Sequence, residues 1–431
     1  VVIITLAFVL GAGGTRGDFQ VGALQFLNSR GIRPDIICGT SIGAINGLVL
    51  AEGGIEKLVS LWKSFRKIDD MYTEEPWLRA LKPITGQLYR MTADDAVSTM
   101  AGRMVKYMLF PPVLFFDAVN FWTGVAELMS APGGYGQLKS FFSFSPTEEK
   151  LRSRLDLDKV RRSGIKLLIT VVGLESGEVR YVKESGHFSD GEDTGRQIDL
   201  IDAVLASSSI PGLFPPVKLY SENYVDGGMR EMLPVEAAIS LGATEVYAIT
   251  CSEAGVGTSR SFDDSNIIDI TLRATMDIAL DEIQRKNAYP PRGWGVDFKL
   301  IQPTLRTHDV LAVEPGMISI SMAYGYMRAF DVVEGSNDPG KFENLKRTSD
   351  DITRLRLKLW KMEHLANGEP RHNETLSIIE PKPLPGLDYL RHIYELKQSL
   401  KVLVDERLQF GDAAVPPGVE LALLKMSPEL Q

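Results

Sequence analysis

The run Val1–Leu10 is apolar and rich in β-branched residues, and it leads directly into the glycine-rich segment Gly11-Ala12-Gly13-Gly14-Thr15-Arg16-Gly17. A continuous apolar run of this kind is what a strand covered on both faces requires. Helical spacing follows at Phe19, Ala23, Leu24 and Leu27, then a second short strand at Asp35–Gly39 and a second helix at Ile42–Ala51. Strand, loop, helix, strand is a βαβ unit, which implies parallel pairing and a right-handed crossover. The opening run does not read as a targeting segment. No basic residue precedes it, glycines rather than a cleavage site follow it, and it is shorter than the roughly 20 residues that span a bilayer. No methionine precedes it either, so a few residues are expected before it.

Further along, the pattern breaks and then resumes. Between about 54 and 147 the chain carries Trp62, Trp77, Trp122, the turn Phe110–Pro112 and the cluster Leu114-Phe115-Phe116, with frequent glycine and proline breaks. This stretch is expected to be a mainly helical insertion. Strands are expected at Ile165–Gly173 and, after a hairpin, at Val179–Val182. A helix near Leu200–Ala206, a turn at Pro211–Pro216 and a strand–helix–strand from Tyr224 to Cys251 complete the core. A helix over Asp263–Ile283 and a strand over Val296–Gln302 come next. Beyond Asp350, Ile352, Leu355, Leu359 and Met362 predict an amphipathic surface helix. The division expected is a catalytic domain over 1–340 and a charged helical extension over 341–431.

Gly39-Thr40-Ser41-Ile42-Gly43 fits the G-x-S-x-G nucleophile elbow, in which a serine sits on a sharp strand-to-helix turn flanked by residues small enough not to clash. An apolar strand precedes the motif and a helical pattern follows it, which is the setting it needs. The glycine loop exposes N–H groups beside a helix N-terminus and so favours negative charge. A dinucleotide fingerprint fails, because the third glycine counted from Gly11 falls on Arg16. A phosphate-binding loop fails for want of Gly-Lys-Ser/Thr. What remains is an oxyanion hole built from Gly13, Gly14, Thr15 and Arg16, with Arg16 adding positive charge, or else a simple tight turn.

A serine nucleophile needs a base. The five histidines are His187, His308, His364, His372 and His392. None falls at the end of an expected core strand, three lie in the charged tail, and His187 and His308 read as polar surface residues. Asp226, at the end of a strand in Tyr224-Val225-Asp226-Gly227-Gly228, is the better candidate, with its pKa raised by partial burial. By itself, Asp-Gly would read as a hairpin turn.

Together the three segments resemble the patatin-like phospholipase family: a glycine loop ending in Arg16-Gly17, the Ser41 elbow, and the Asp226-Gly227-Gly228 aspartate, in that family's order. Ala206-Ser207-Ser208-Ser209-Ile210-Pro211, Phe214-Pro215-Pro216 and the helix Leu233–Ala238 extend the resemblance, and Pro315–Arg328 is more loosely similar to bacterial members. Ala12 departs from it, standing where the family usually has glycine. The resemblance implies a three-layer α/β/α fold with a mainly parallel sheet, and a Ser41–Asp226 dyad with no metal and no cofactor. It implies lipid acyl esters, phospholipid or lysophospholipid, as substrates. Esterase activity on soluble esters, acyl transfer at the same site, or a non-catalytic nucleotide-binding module are the alternatives. Segment 54–147 matches no family pattern and is where substrate choice would lie, with peripheral membrane contact expected through 110–122. The net charge of -9 argues against a nucleic-acid partner. With only Cys38 and Cys251 and no C-x-x-C pair, neither a disulfide framework nor a structural zinc site is expected, and a reducing, cytoplasmic setting is. Oligomeric state is left open.

Overall fold

Alternation along the first strand shows how this sequence builds a sheet with two covered faces. In β1 (Leu6–Leu10) the bulky Phe8 and Leu10 point to one face and the smaller Ala7 and Val9 to the other, as period-two geometry demands. The large face packs against long helices and the small face against a thin layer of short ones. This computed structural model describes residues 4–76, 139–191, 197–255, 261–262, 270, 273–289, 294–366 and 386–418.

The first part of the chain runs α1 (Gly17–Ser29), β2 (Ile36–Thr40) and α2 (Ile42–Lys63), then β3 (Thr73–Glu74). After the stretch outside the described residues come β4 (Phe142–Ser143), α3 (Ser145–Arg154), α4 (Leu157–Arg162), β5 (Lys166–Gly173) and β6 (Val179–Lys183). The core closes with α5 (Leu200–Ser208), β7 (Val217–Leu219), β8 (Glu222–Asp226), α6 (Val235–Ser240), β9 (Glu245–Ile249), α7 (Leu280–Asn287) and β10 (Asp297–Ile301). Three long helices follow, α8 (Pro315–Gly335), α9 (Pro339–Ala366) and α10 (Gly386–Leu408).

The main sheet has the order β10-β9-β1-β2-β5-β8-β7, with β6 pairing β5 off that path. Its centre is parallel, from β10 through β5, and β6, β7 and β8 are antiparallel. Helices α1, α2, α5 and α8 cover one face, and α6 covers the other against β1, β2 and β9. The α/β/α architecture with a mainly parallel sheet is therefore the one the sequence predicts.

Three elements differ from expectation. The second helix continues to Lys63, bent at Gly54, where φ is 74°. Strand β7 has no counterpart in the sequence reading; three residues are too few to show a period. The tail helix α9 is not confined to the surface, because Ile352, Leu359 and Met362 are buried in the main core. The insertion is pinned at its base by β3 and β4, paired Thr73 with Ser143 and Glu74 with Phe142. The aromatic cluster at 110–122 lies outside the described residues, as does 263–269 of the expected helix; Arg273–Ala279 is a π-helix running into α7.

Candidate active site

Strand β5 is the ruler that sets the site. Along one of its edges β2 pairs in parallel up to Thr40 opposite Thr170. At the next position, Val171, β2 has ended and β8 takes over in antiparallel pairing, with Asp226 opposite Val171. Strand β6 occupies the other edge over 168–172. Ser41, one residue past the end of β2, therefore meets Asp226, the last residue of β8, at adjacent places on one strand. The Ser41 hydroxyl donates to Asp226 Oδ2 at 2.6 Å.

Ser41 has φ 58° and ψ −127°, a left-handed conformation rare for a residue with a side chain. The elbow is tight enough to demand its glycines: a Cβ on Gly43 would lie 2.2 Å from the Leu10 carbonyl oxygen, and one on Gly39 2.5 Å from that of Gly43. Two serines at the C-terminal end of α5, Ser207 in its last turn and Ser209 just past it, hold the pair. Ser207 Oγ accepts the Ser41 N–H at 2.9 Å, and the Ser209 carbonyl accepts the Asp226 N–H at 3.0 Å. Asp226 Oδ1 accepts from the Gly228 N–H at 2.7 Å. Asp226 leads into a short 3-10 turn, Gly227–Met229, rather than a hairpin. Both Ser41 and Asp226 are buried. Burial pushes the Asp226 carboxyl up to about 7, against the pull of its bonds from Ser41 and Gly228.

The glycine loop is stretched between anchors. Gly11 N–H bonds Ile249 O, Ala12 N–H bonds Met232 O, and the buried Gln20 amide donates to Gly11 O at 2.8 Å. Thr15 N–H is used on Val310 O at 2.9 Å, and Arg16 N–H on Gly13 O at 3.3 Å. Two of the four expected oxyanion donors are thus engaged elsewhere. Gly13 and Gly14 are left as the loop residues whose N–H groups have no acceptor among the described residues. Ala12 sits with its N–H satisfied and its side chain buried, so the missing glycine creates no clash. The Arg16 guanidinium turns to Glu253 at 3.6 Å, a carboxylate it shares with Arg306, so its charge is compensated by a neighbour. Gly17 is the first residue of α1, packed against Ile42 and Trp62, where it lets the two helices of the unit approach.

The sequence reading of His308 as a surface residue is corrected. It is 5% exposed, and its ring lies 2.8 Å from the buried Asp18 carboxylate. Its partner is 290 residues away in sequence, so no local pattern could have announced the pair. Ser207 and Ser209 stood inside a segment singled out by resemblance, yet nothing in the sequence assigned them these bonds. Cys38 and Cys251 are buried free thiols.

A buried serine on a strained strand-to-helix turn, bonded to a buried carboxylate at the end of a neighbouring strand, defines an α/β protein of the nucleophile-elbow class. The chain belongs to the patatin-like phospholipase family, whose sequence model matches residues 8–239. Among curated relatives, the lysophospholipase nte1 of Aspergillus terreus is 24% identical over 264 residues, which is 61% of this chain and 13% of that protein. Patatin-like phospholipase domain-containing protein 7 of Rattus norvegicus is 57% identical over 47 residues, 11% of this chain and 4% of that protein. This chain thus spans a small fraction of the length of these relatives. Among solved structures, VipD from Legionella pneumophila aligns over 97% of this chain and 86% of its own at 14% identity, with a TM-score of 0.33.

Proposed function

We propose that this chain is a serine acyl-hydrolase acting on acyl esters of phospholipids or lysophospholipids, with Ser41 as nucleophile and Asp226 as base. The observation that carries the reading is the 2.6 Å hydrogen bond between two buried side chains, Ser41 Oγ and Asp226 Oδ2. Ser41 Oγ attacks the acyl carbonyl carbon while its proton passes to Asp226 Oδ2. The carbonyl oxygen becomes an oxyanion, for which the open N–H groups of Gly13 and Gly14 are the available donors. Collapse of the intermediate breaks the ester C–O bond, and Asp226 returns the proton to the departing alcohol oxygen. Water, deprotonated by Asp226, then attacks the acyl-serine; the proton goes back to Ser41 and the fatty acid leaves. An aspartate of ordinary pKa would be a poor base near neutrality. Burial corrects that by lifting Asp226 to about 7.

The lipid class rests on family membership and on the nte1 relative's name. Fluorophosphonate labelling together with hydrolysis of a lysophospholipid and a short soluble ester is the test. Wild-type protein is expected to label at Ser41 and to release fatty acid, and Ser41→Ala to do neither. Labelling with turnover of the soluble ester alone would leave the serine mechanism and remove the lipid class. Retained hydrolysis in Ser41→Ala would remove both.

A further inference from the structure

The proposed oxyanion loop does not hold itself open. Gly14 has φ +58°, and a Cβ there would lie 2.3 Å from the Val310 carbonyl oxygen, so the strap 307–311 lies directly against it. Two carbonyls of that strap grip Thr15: Val310 O accepts its N–H, and Asp309 O accepts its hydroxyl at 2.9 Å. The same Asp309 carbonyl lies 3.0 Å from His308 Nδ1. On the other side of the ring, His308 Nε2 lies 2.8 Å from Asp18 Oδ2. The second oxygen, Asp18 Oδ1, accepts the Ser321 hydroxyl at 2.6 Å.

Both atoms facing the ring are acceptors. A carbonyl carries no proton, and a carboxylate has none to give. A neutral imidazole has one N–H and could satisfy only one of the two; an imidazolium satisfies both. We propose that His308, held as an imidazolium between Asp18 and the Asp309 carbonyl, is a positioning residue that locks the 307–311 strap onto the glycine loop and keeps the Gly13 and Gly14 N–H groups turned towards the reacting carbonyl. This rests on the oxyanion role given to that loop above.

The charged groups around the ring agree with the assignment. Burial opposes a charge on His308, and Arg16, on the loop side, opposes it further. The Asp18 carboxylate from α1 and the two hydrogen bonds outweigh them, so the His308 pKa is raised above the ordinary imidazole value. Ser321, from α8, brings no charge. The grip is therefore released as pH rises through that raised value.

Two measurements test this, one of them on the unaltered protein. Nitrogen-15 NMR of the wild-type histidines, with the His308 signal assigned by its loss in His308→Gln, should show both ring nitrogens protonated at pH 7. In kinetics on a soluble ester, His308→Gln should lower kcat ten- to a hundredfold with KM within about twofold. That is below the cost of deleting an oxyanion donor outright, roughly a hundred- to a thousandfold. The wild-type kcat should fall on an alkaline limb that the variant lacks. A wild-type spectrum in which no histidine has both ring nitrogens protonated at pH 7 would overturn the assignment even if the variant failed to fold. So would a variant that keeps the wild-type kcat or the alkaline limb. Wild-type protein that does not label with a fluorophosphonate removes the hydrolase reading, and this role with it. A wild type that labels beside an unaffected variant removes only the role of His308.

Discussion

At the scale of single residues, Asp226 shows the conflict between stability and chemistry most clearly. Its carboxyl is raised from 3.8 to about 7 by burial, so the fold holds the protonated form more tightly than the unfolded chain does. By linkage, stability contributed by that proton is fully present below about pH 4 and is lost as pH rises through 7. The cost of the buried charge above pH 7 is then roughly 4 kcal/mol. Asp226→Asn carries no charge and can still accept from Gly228. It is expected to lower kcat by on the order of a hundredfold or more, yet to unfold at a higher temperature than wild type at pH 8. At pH 5 the gap should narrow, because the folded carboxyl is then protonated, and it should close only below about pH 4, where the unfolded one is protonated too. Thermal melts at the two pH values check this, and a variant less stable than wild type at pH 8 would show that the carboxylate is not strained. The Ser41–Asp226 pairing was readable because each residue sits in a motif with a local backbone requirement. Ser207, Ser209, Asp18 and His308 were not: their contributions are single hydrogen bonds across long sequence separations, and a hydrogen bond leaves no periodicity.

At the scale of elements, the glycine loop and the strap behave as one unit, and their contact explains why Gly14 tolerates nothing larger. An added Cβ would strike the Val310 carbonyl at 2.3 Å while the backbone stays at φ +58°. Gly14→Val is expected to reduce kcat by on the order of a hundredfold or more, as loss of an oxyanion donor does, with secondary structure by circular dichroism unchanged. Gly31→Ala is the control. It has a similar φ of +73° but nothing within 4 Å, so it should cost some stability and leave kcat alone. Equal kcat in Gly14→Val and wild type would reduce the loop to a turn. The central strands β1, β2, β5 and β9 and the start of the first two helices were legible because burial on two faces writes continuous apolar runs. The meeting of β2 and β8 on one edge of β5 was not, since pairing order depends on contacts that no local segment encodes.

At the scale of the whole molecule, the question is whether residues past 340 are an appendage, as their charge suggested, or part of the folding unit. Arg407, in α10, is fully buried, and its guanidinium reaches three other parts of the chain. It donates to Asp331 at 2.6 Å and to Met327 O at 3.0 Å in α8, to Leu345 O at 2.9 Å in α9, and to Ala414 O at 2.7 Å beyond its own helix. Asp331 also accepts from Arg328 and Ser349. Leu345, Ile352, Leu359 and Met362 of α9 and Ile393, Leu400 and Val404 of α10 belong to the same apolar cluster as Phe19 and Phe330. A buried ion pair adds little over an apolar replacement, but removing one partner strands the other, at about 3 to 5 kcal/mol. Arg407→Ala should therefore destabilise the whole protein by about that amount, in a single unfolding transition shared by tryptophan fluorescence and far-ultraviolet circular dichroism. Fluorophosphonate labelling of Ser41 at low temperature, well below the melt, should proceed at the wild-type rate, because the groups Arg407 bonds, Asp331, Met327, Leu345 and Ala414, are none of those that hold Ser41, Asp226 or the glycine loop. Two separated transitions, with the labelling competence of Ser41 surviving the first, would instead make the C-terminal helices a module that the catalytic core can lose.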